Sequence, residues 1–445
     1  MHSLAIKYED IIKKILNKKI GLFFITFFIF LSAIALWANF SNQSTLYGTN
    51  YGTLDDQADS YSEYIIRNSL VNDFIGNENK NSTLIFTDGY TREPLDFSYY
   101  KFNTIIYSHS RSIQRDIYYK LIKIAPTNFI NDQPILILNS YNLPPTGWLT
   151  YRLQKSTFDH FNIKSTRDIY FQFFRFLNCF LLALLITIFF VTLCERKMMS
   201  LLLAILYFMV SGVALFSSNL FICSWAIFIP LVCFFFLRKN ISAMYYFFLP
   251  FFFSYLYFSI HYLFASTFAI LWYLPIFFDE KIRTKKNAVK FVLISLGVIF
   301  GFFAEVINHI NFVAEKLNID NIQAFYSIFE TARLRLLSLN NVPFPFGLSF
   351  FKSMIVRFSS DGIKIPLLVS LSKMFFLITL LFIFKKNLCN MRNVCIWSFL
   401  AYFSCYLFSY QHIMVHDIYD SLIFSITIQL GVFLVLAAYL KKRFY

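Results

Sequence analysis

The sequence predicts an all-α polytopic membrane protein of about ten transmembrane helices, with a small mixed α/β extracytoplasmic domain in its first outward loop. Three observations lead there. Hydrophobic residues make up 57% of the 445 and charged residues only 15%, too apolar a balance for a soluble domain. Apolar runs long enough to span a bilayer recur along the whole chain, and lysines and arginines fall in short clusters between them. Two polar stretches, 39–169 and 305–364, interrupt the pattern and are too long to be mere connectors. The formal charge of +15 is therefore topological, with no nucleic-acid partner implied.

The N-terminal segment 1–19 carries Lys13, Lys14, Lys18 and Lys19 ahead of the first span, 20–38, which places the N-terminus in the cytoplasm. Its apolar run lacks a convincing small-x-small cleavage site, so a retained signal anchor is expected. Segment 39–169 is then outside. Within it, Thr83 to Phe86 before Asp88-Gly89, and Ile135 to Leu138 before Asn142-Leu143-Pro144-Pro145, read as strands followed by turns.

Region 170–304 holds spans two to seven, with boundaries at Tyr170 to Leu193, Ser200 to Phe216, Leu220 to Leu237, Ala243 to Ser259, Tyr262 to Phe278 and Phe291 to Ala304. Each even-numbered span returns to a basic cluster: Arg196-Lys197, Arg238-Lys239, and the loop from Asp279 to Lys290. Pro250 and Pro275 are expected to kink or break their helices. Segment 305–364 is the second outward stretch, with amphipathic helices. Region 365–445 supplies the last three spans and ends at Lys441-Lys442-Arg443, again cytoplasmic. The seven cysteines lie in or beside apolar runs, with no disulfide framework and no CxxC pair.

Chemistry is confined to the outward segments. The stretch Thr53 to Leu70 follows the first span and holds Asp55, Asp56 and Asp59 at the membrane surface. As a helix it sets Ala58, Tyr61 and Ile65 on one side, with Asp55, Asp59, Glu63 and Arg67 on the other. Acids in a first turn also favour any helix, so capping alone accounts equally well for the pattern. A second polar run, Tyr107 to Arg115, contains His109 and Gln114. In the second outward segment Arg333, Arg335, Lys352 and Arg357 are interleaved with Phe344, Phe346, Phe350 and Phe351. Cations among aromatics at a bilayer surface suit a lipid bearing a phosphate, and equally a basic helix resting on anionic headgroups.

His412 and His416 share a helical face beside Asp417, an incomplete metal shell. His309 gives a weaker signal. The sequence has no P-loop, GxGxxG, GxSxG or HExxH, which counts against nucleotide-driven transport and ordinary hydrolase chemistry. Arg175 and Lys373 are the charged residues inside spans, each close to an outer end.

Asp55-Asp56 with Tyr61 and Tyr64 following, just beyond the first of many spans, resembles the GT-C superfamily of integral-membrane glycosyltransferases. The run from Tyr107 to Gln114 and the loop of His412 and His416 also look like positions in bacterial surface-glycan members. The resemblance implies a sugar on polyprenyl phosphate as donor, a glycan or lipid-linked glycan as acceptor, membrane lipids around it and a bacterial inner-membrane location. It implies Asp55 or Asp56 as general base, Arg333, Arg335, Arg357 and Lys352 at the donor phosphate, and Asp59, Glu63, His109, Gln114, His412 and His416 at acceptor or sugar. No cofactor is certain; a divalent cation fits Asp55, Asp56 and a histidine, and metal dependence stays open. About a hundred residues between the acidic stretch and the second span depart from the family pattern. An O-antigen polymerase is the alternative, a lipid-linked sugar flippase the next, and a structural anchor the last.

Overall fold

The computed structural model describes residues 21–38, 148–161, 168–193, 197–219, 222–238, 242–262, 264–278, 284–317, 319–336, 389–408 and 419–443. Among them the chain is helical with no strand, and three helices are long and apolar enough to cross a membrane. These are α1 (Gly21–Ala38), α3 (Asp168–Leu193) and α9 (Lys285–Leu317). The expected strands at 83–86 and 135–138 lie outside the described residues.

Helix α1 packs antiparallel to α3. Trp37 near its end donates its indole N–H to Gln172 at 2.9 Å, while Phe30, a turn or two earlier, meets Phe176 edge to face. Helix α2 (Trp148–His160) precedes α3. The chain then rises through α4 (Lys197–Val210), where the Ser211 side chain accepts from the Val213 amide and starts a 3-10 turn, Gly212–Phe216. A second 3-10 turn, Ser224–Phe228, leads into α5 (Ile229–Arg238). The tighter turns lengthen each short helix by about 2.0 Å per residue.

The ends of these elements are tied by buried polar side chains, which meet backbone groups beside the two 3-10 turns. Asn178 on α3 donates to the Asn219 carbonyl at 2.9 Å and accepts from the Trp225 indole at 3.0 Å. Asn219 in turn accepts from the Ile222 amide through its side-chain oxygen at 2.8 Å.

Helix α6 (Tyr245–Ile260) runs straight through Pro250, so the proline does not end it. The break comes at His261, whose backbone is extended and whose ring contacts the Ile222 carbonyl at 2.7 Å. Phe264, at φ 59, turns the chain into α7 (Ala265–Leu271), and Pro275 sits in the first turn of α8 (Leu274–Phe277). Helix α7 lies antiparallel to α11 (Cys389–Phe408): Thr267 donates to the Ala401 carbonyl, and the Trp397 indole donates to that of Ile270.

Helices α6 and α9 make the most extensive helix pair. Gly297 lies against Phe247 and Pro250, and Gly301 against Phe251 and Ser254, so the two helices run in the same direction with their backbones touching. Any Cβ at either glycine would fall on a carbonyl oxygen of α6. Such close approach is how membrane helices associate where lipid removes the hydrophobic driving force. On the opposite side of α9, Val289, Val292, Leu296, Phe300, Phe303 and Ile307 are exposed. That stripe is about 27 Å long at 1.5 Å per residue, close to the roughly 30 Å of a bilayer's hydrocarbon core.

Helix α10 (Asn321–Leu336) follows a short turn in which Asp320 accepts from the amides of Ile322 and Gln323, both at 2.8 Å. This is an N-cap. The chain closes with α12 (Tyr419–Phe424), a π-helical turn (Ser425–Gln429) and α13 (Leu430–Arg443). The wide turn is held from α4 and the residue beyond its 3-10 start: Tyr207 donates to the Ser425 carbonyl, and the Gly212 amide to the Ser425 hydroxyl.

Candidate functional site

The helix expected to stop at Ala304 continues through Leu317, and this moves Glu305 and His309 out of a loop and into the interior. Both follow from the same register. Gly297, Gly301, Glu305 and His309 recur every fourth position, so the face that presses on α6 with glycines continues upward with a carboxylate and an imidazole.

Glu305 is fully buried. Its Oε2 accepts from the Asn308 side-chain amide at 3.3 Å, while among the described residues Oε1 has no hydrogen-bond partner. One turn on, the buried His309 has its Nδ1 3.3 Å from the Tyr262 hydroxyl. Tyr262 is fixed by ring contacts with Phe258 and Phe302, one from α6 and one from α9. Arg152 of α2 is within electrostatic reach of Glu305 and of Tyr255. Two residues along, Gln154 is fully buried and neither of its amide atoms has a partner among the described residues. Thr150 anchors this helix to the bundle, its hydroxyl lying 3.4 Å from the Cys223 sulfur.

A buried carboxylate oxygen without a donor is costly, which makes Glu305 the candidate group for binding or deprotonating a ligand. The elements around it have separate origins: α2 from the end of the first long polar stretch, α6 and α9 from the bundle. What results is a proton acceptor, a hydroxyl–imidazole pair and a cation at one end of the bundle. Among the described residues no three His, Cys, Asp or Glu side chains converge as a metal site would require.

Most residues singled out in the sequence lie elsewhere. Asp55, Asp56, Asp59, Glu63, His109, Gln114, Lys352, Arg357, His412 and His416 are outside the described residues. Arg333 and Arg335 fall in the last turn of α10. Positions two apart on a helix are about 200° apart around its axis. The helix therefore sets the two positions on different sides.

The site residues without a local sequence signal are Arg152, Gln154, Tyr255, Tyr262, Asn308 and Glu305, while His309 gave only a weak one. The fourfold spacing from Gly297 to His309 was the signal available. No protein-family model matches the chain, and no curated protein or solved structure is significantly similar to it.

Proposed function

We propose that this chain is an integral-membrane glycosyltransferase that moves a sugar from a polyprenyl-phosphate donor to a surface-glycan acceptor on the extracytoplasmic face. Ten spans with both termini cytoplasmic, in a bacterial inner membrane, are part of the same proposal, as is a small α/β domain within 39–169. The observation that carries it is the Glu305 carboxylate, buried with one oxygen unpartnered among the described residues and Arg152 in reach.

The chemistry requires a base and a cation. An acceptor hydroxyl gives its proton to a carboxylate, its oxygen bonds to the anomeric carbon, and the bond from that carbon to the phosphate oxygen breaks. The polyprenyl phosphate leaves with the electron pair, and positive charge nearby stabilises it. Glu305 joins Asp55 and Asp56 as a candidate base, and Arg152 joins Arg333, Arg335, Arg357 and Lys352 as a candidate phosphate contact. An O-antigen polymerase would use the same groups.

A second reading gains from the same carboxylate. A flippase for lipid-linked sugars needs an ionisable group inside a long apolar helix, and Glu305 is one.

Glycan profiling of a deletion strain complemented with wild type, Asp55→Asn/Asp56→Asn or Glu305→Gln separates the three. Loss of one sugar with chain length intact, restored by wild type and not by Glu305→Gln, supports the transferase. Collapse of the ladder to single repeat units supports the polymerase. Loss of all surface glycan with inward-facing lipid-linked precursor accumulating supports the flippase.

A further inference from the structure

Helix α10 presents two opposed faces. Ala324 packs with Val313 and Ala314 of α9, with Ile310, Ile319 and Ile328 around them. On the far side Ile322, Phe325, Tyr326 and Phe329 are all exposed, at 69%, 44%, 61% and 51%. Their i, i+3, i+4, i+7 spacing makes one continuous stripe.

Three facts identify what covers that stripe. Helical register puts Ile310 and Ala314 on the same side of α9 as Phe300, Phe303 and Ile307, so α10 is seated on the upward continuation of the exposed stripe of α9. Ile310 and Ala314 lie about 5–10 Å beyond Ile307 along the helix, which is the depth of a bilayer's headgroup layer. The stripe itself is mostly aromatic, the composition of a membrane interface.

We infer that α10 is an interfacial helix whose Ile322, Phe325, Tyr326 and Phe329 stripe is seated in the leaflet at the C-terminal end of α9, with bilayer lipid as its occupant. The stripe continues in register to Arg333, a position suited to headgroup phosphate, whereas Arg335 falls in register with Ala324 and Ile328 on the packed side. The helix thus ties the second polar segment to the lipid surface without depending on the activity proposed above.

The test uses the full chain in vesicles of phosphatidylethanolamine and phosphatidylglycerol. A nitroxide is attached at Phe325→Cys, Phe329→Cys or Gln323→Cys, the last off the stripe, and the signal of protein without an added cysteine is subtracted. Five of the seven native cysteines are buried, and Cys194 and Cys389 are replaced by serine in every variant. The expected result is loss of access to an aqueous nickel chelate and a gain in oxygen access at 325 and 329 relative to 323, with a depth of about 5–10 Å below the headgroup boundary. Chelate access equal to that at 323 would mean the stripe faces water. Protection from both reagents would mean a protein covers it. Either outcome overturns the inference, and Ile322→Cys and Tyr326→Cys repeat the reading should one variant not fold.

Discussion

Gly301 of α9 lies against the backbone of Phe251 on α6 so closely that a Cβ there would fall on the Phe251 carbonyl oxygen. A methyl group at this point must push two helices apart. Gly301→Ala should destabilise the protein by about 1–3 kcal/mol as an overpacked contact, and Gly301→Val by more. Thermal unfolding in detergent checks this, with the exposed Ile307→Leu as a control that should leave the midpoint unchanged.

Glu305→Gln keeps the shape of the side chain and removes its basicity. The variant should insert and fold normally and lose the bulk of its glycan-modifying activity in cells. Full activity would eliminate Glu305 as the proton acceptor and return that role to the acidic stretch of Asp55 and Asp56.

Tyr262→Phe deletes one hydroxyl from a pair whose other member, His309, is buried. A hydrogen bond of this kind contributes about 0.5–1.5 kcal/mol, so a small drop in thermal midpoint is expected. A larger fall in activity than in stability, compared in the same membranes, would place the pair in the chemistry rather than in the scaffold.

Asn178 bridges the Asn219 carbonyl and the Trp225 indole. Asn178→Ala leaves a buried acceptor and a donor unmet, at a cost of about 1–3 kcal/mol for each group left without a partner. Limited proteolysis of the turn between the two 3-10 segments is the readout; cleavage at the wild-type rate would mean the bridge does not hold that turn.

Asp55→Asn and Asp56→Asn are expected to abolish transfer without affecting insertion. Arg333→Ala and Arg335→Ala should both weaken donor use but not equally, because the helix sets the two positions on different sides. Donor titration in membranes carrying each variant compares them.

Hydropathy made α1, α3 and α9 legible, since their apolar runs are long and nearly free of charge. It failed at the upper end of α9 for a physical reason. A hydropathy window ends at the first carboxylate, but a helix ends only where its hydrogen bonding or a cap ends it, and Ile307, Ile310 and Val313 keep one side of α9 apolar beyond Glu305. At Pro250 the helix continues without a break, and the ring packs beside Gly297, a contact visible only once the partner helix is known. The site was less legible than the fold. Glu305 and His309 are functional candidates because of burial, which comes from α6 and from Tyr262 in the turn beyond it, and no local pattern in 305–309 encodes those neighbours.

The contact of α6 with α9 joins segments separated by the whole α7–α8 return. Because the two helices are parallel, the groove from Phe247 to Ser254 has no partner until residues 297–301 have been synthesised and released into the bilayer. The growing chain therefore passes through a stage in which this strip of α6 lacks Gly297 and Gly301 as neighbours. A chain stalled or truncated before Lys285 would carry that strip uncovered, a mark by which membrane quality control could tell the unfinished protein from the finished one.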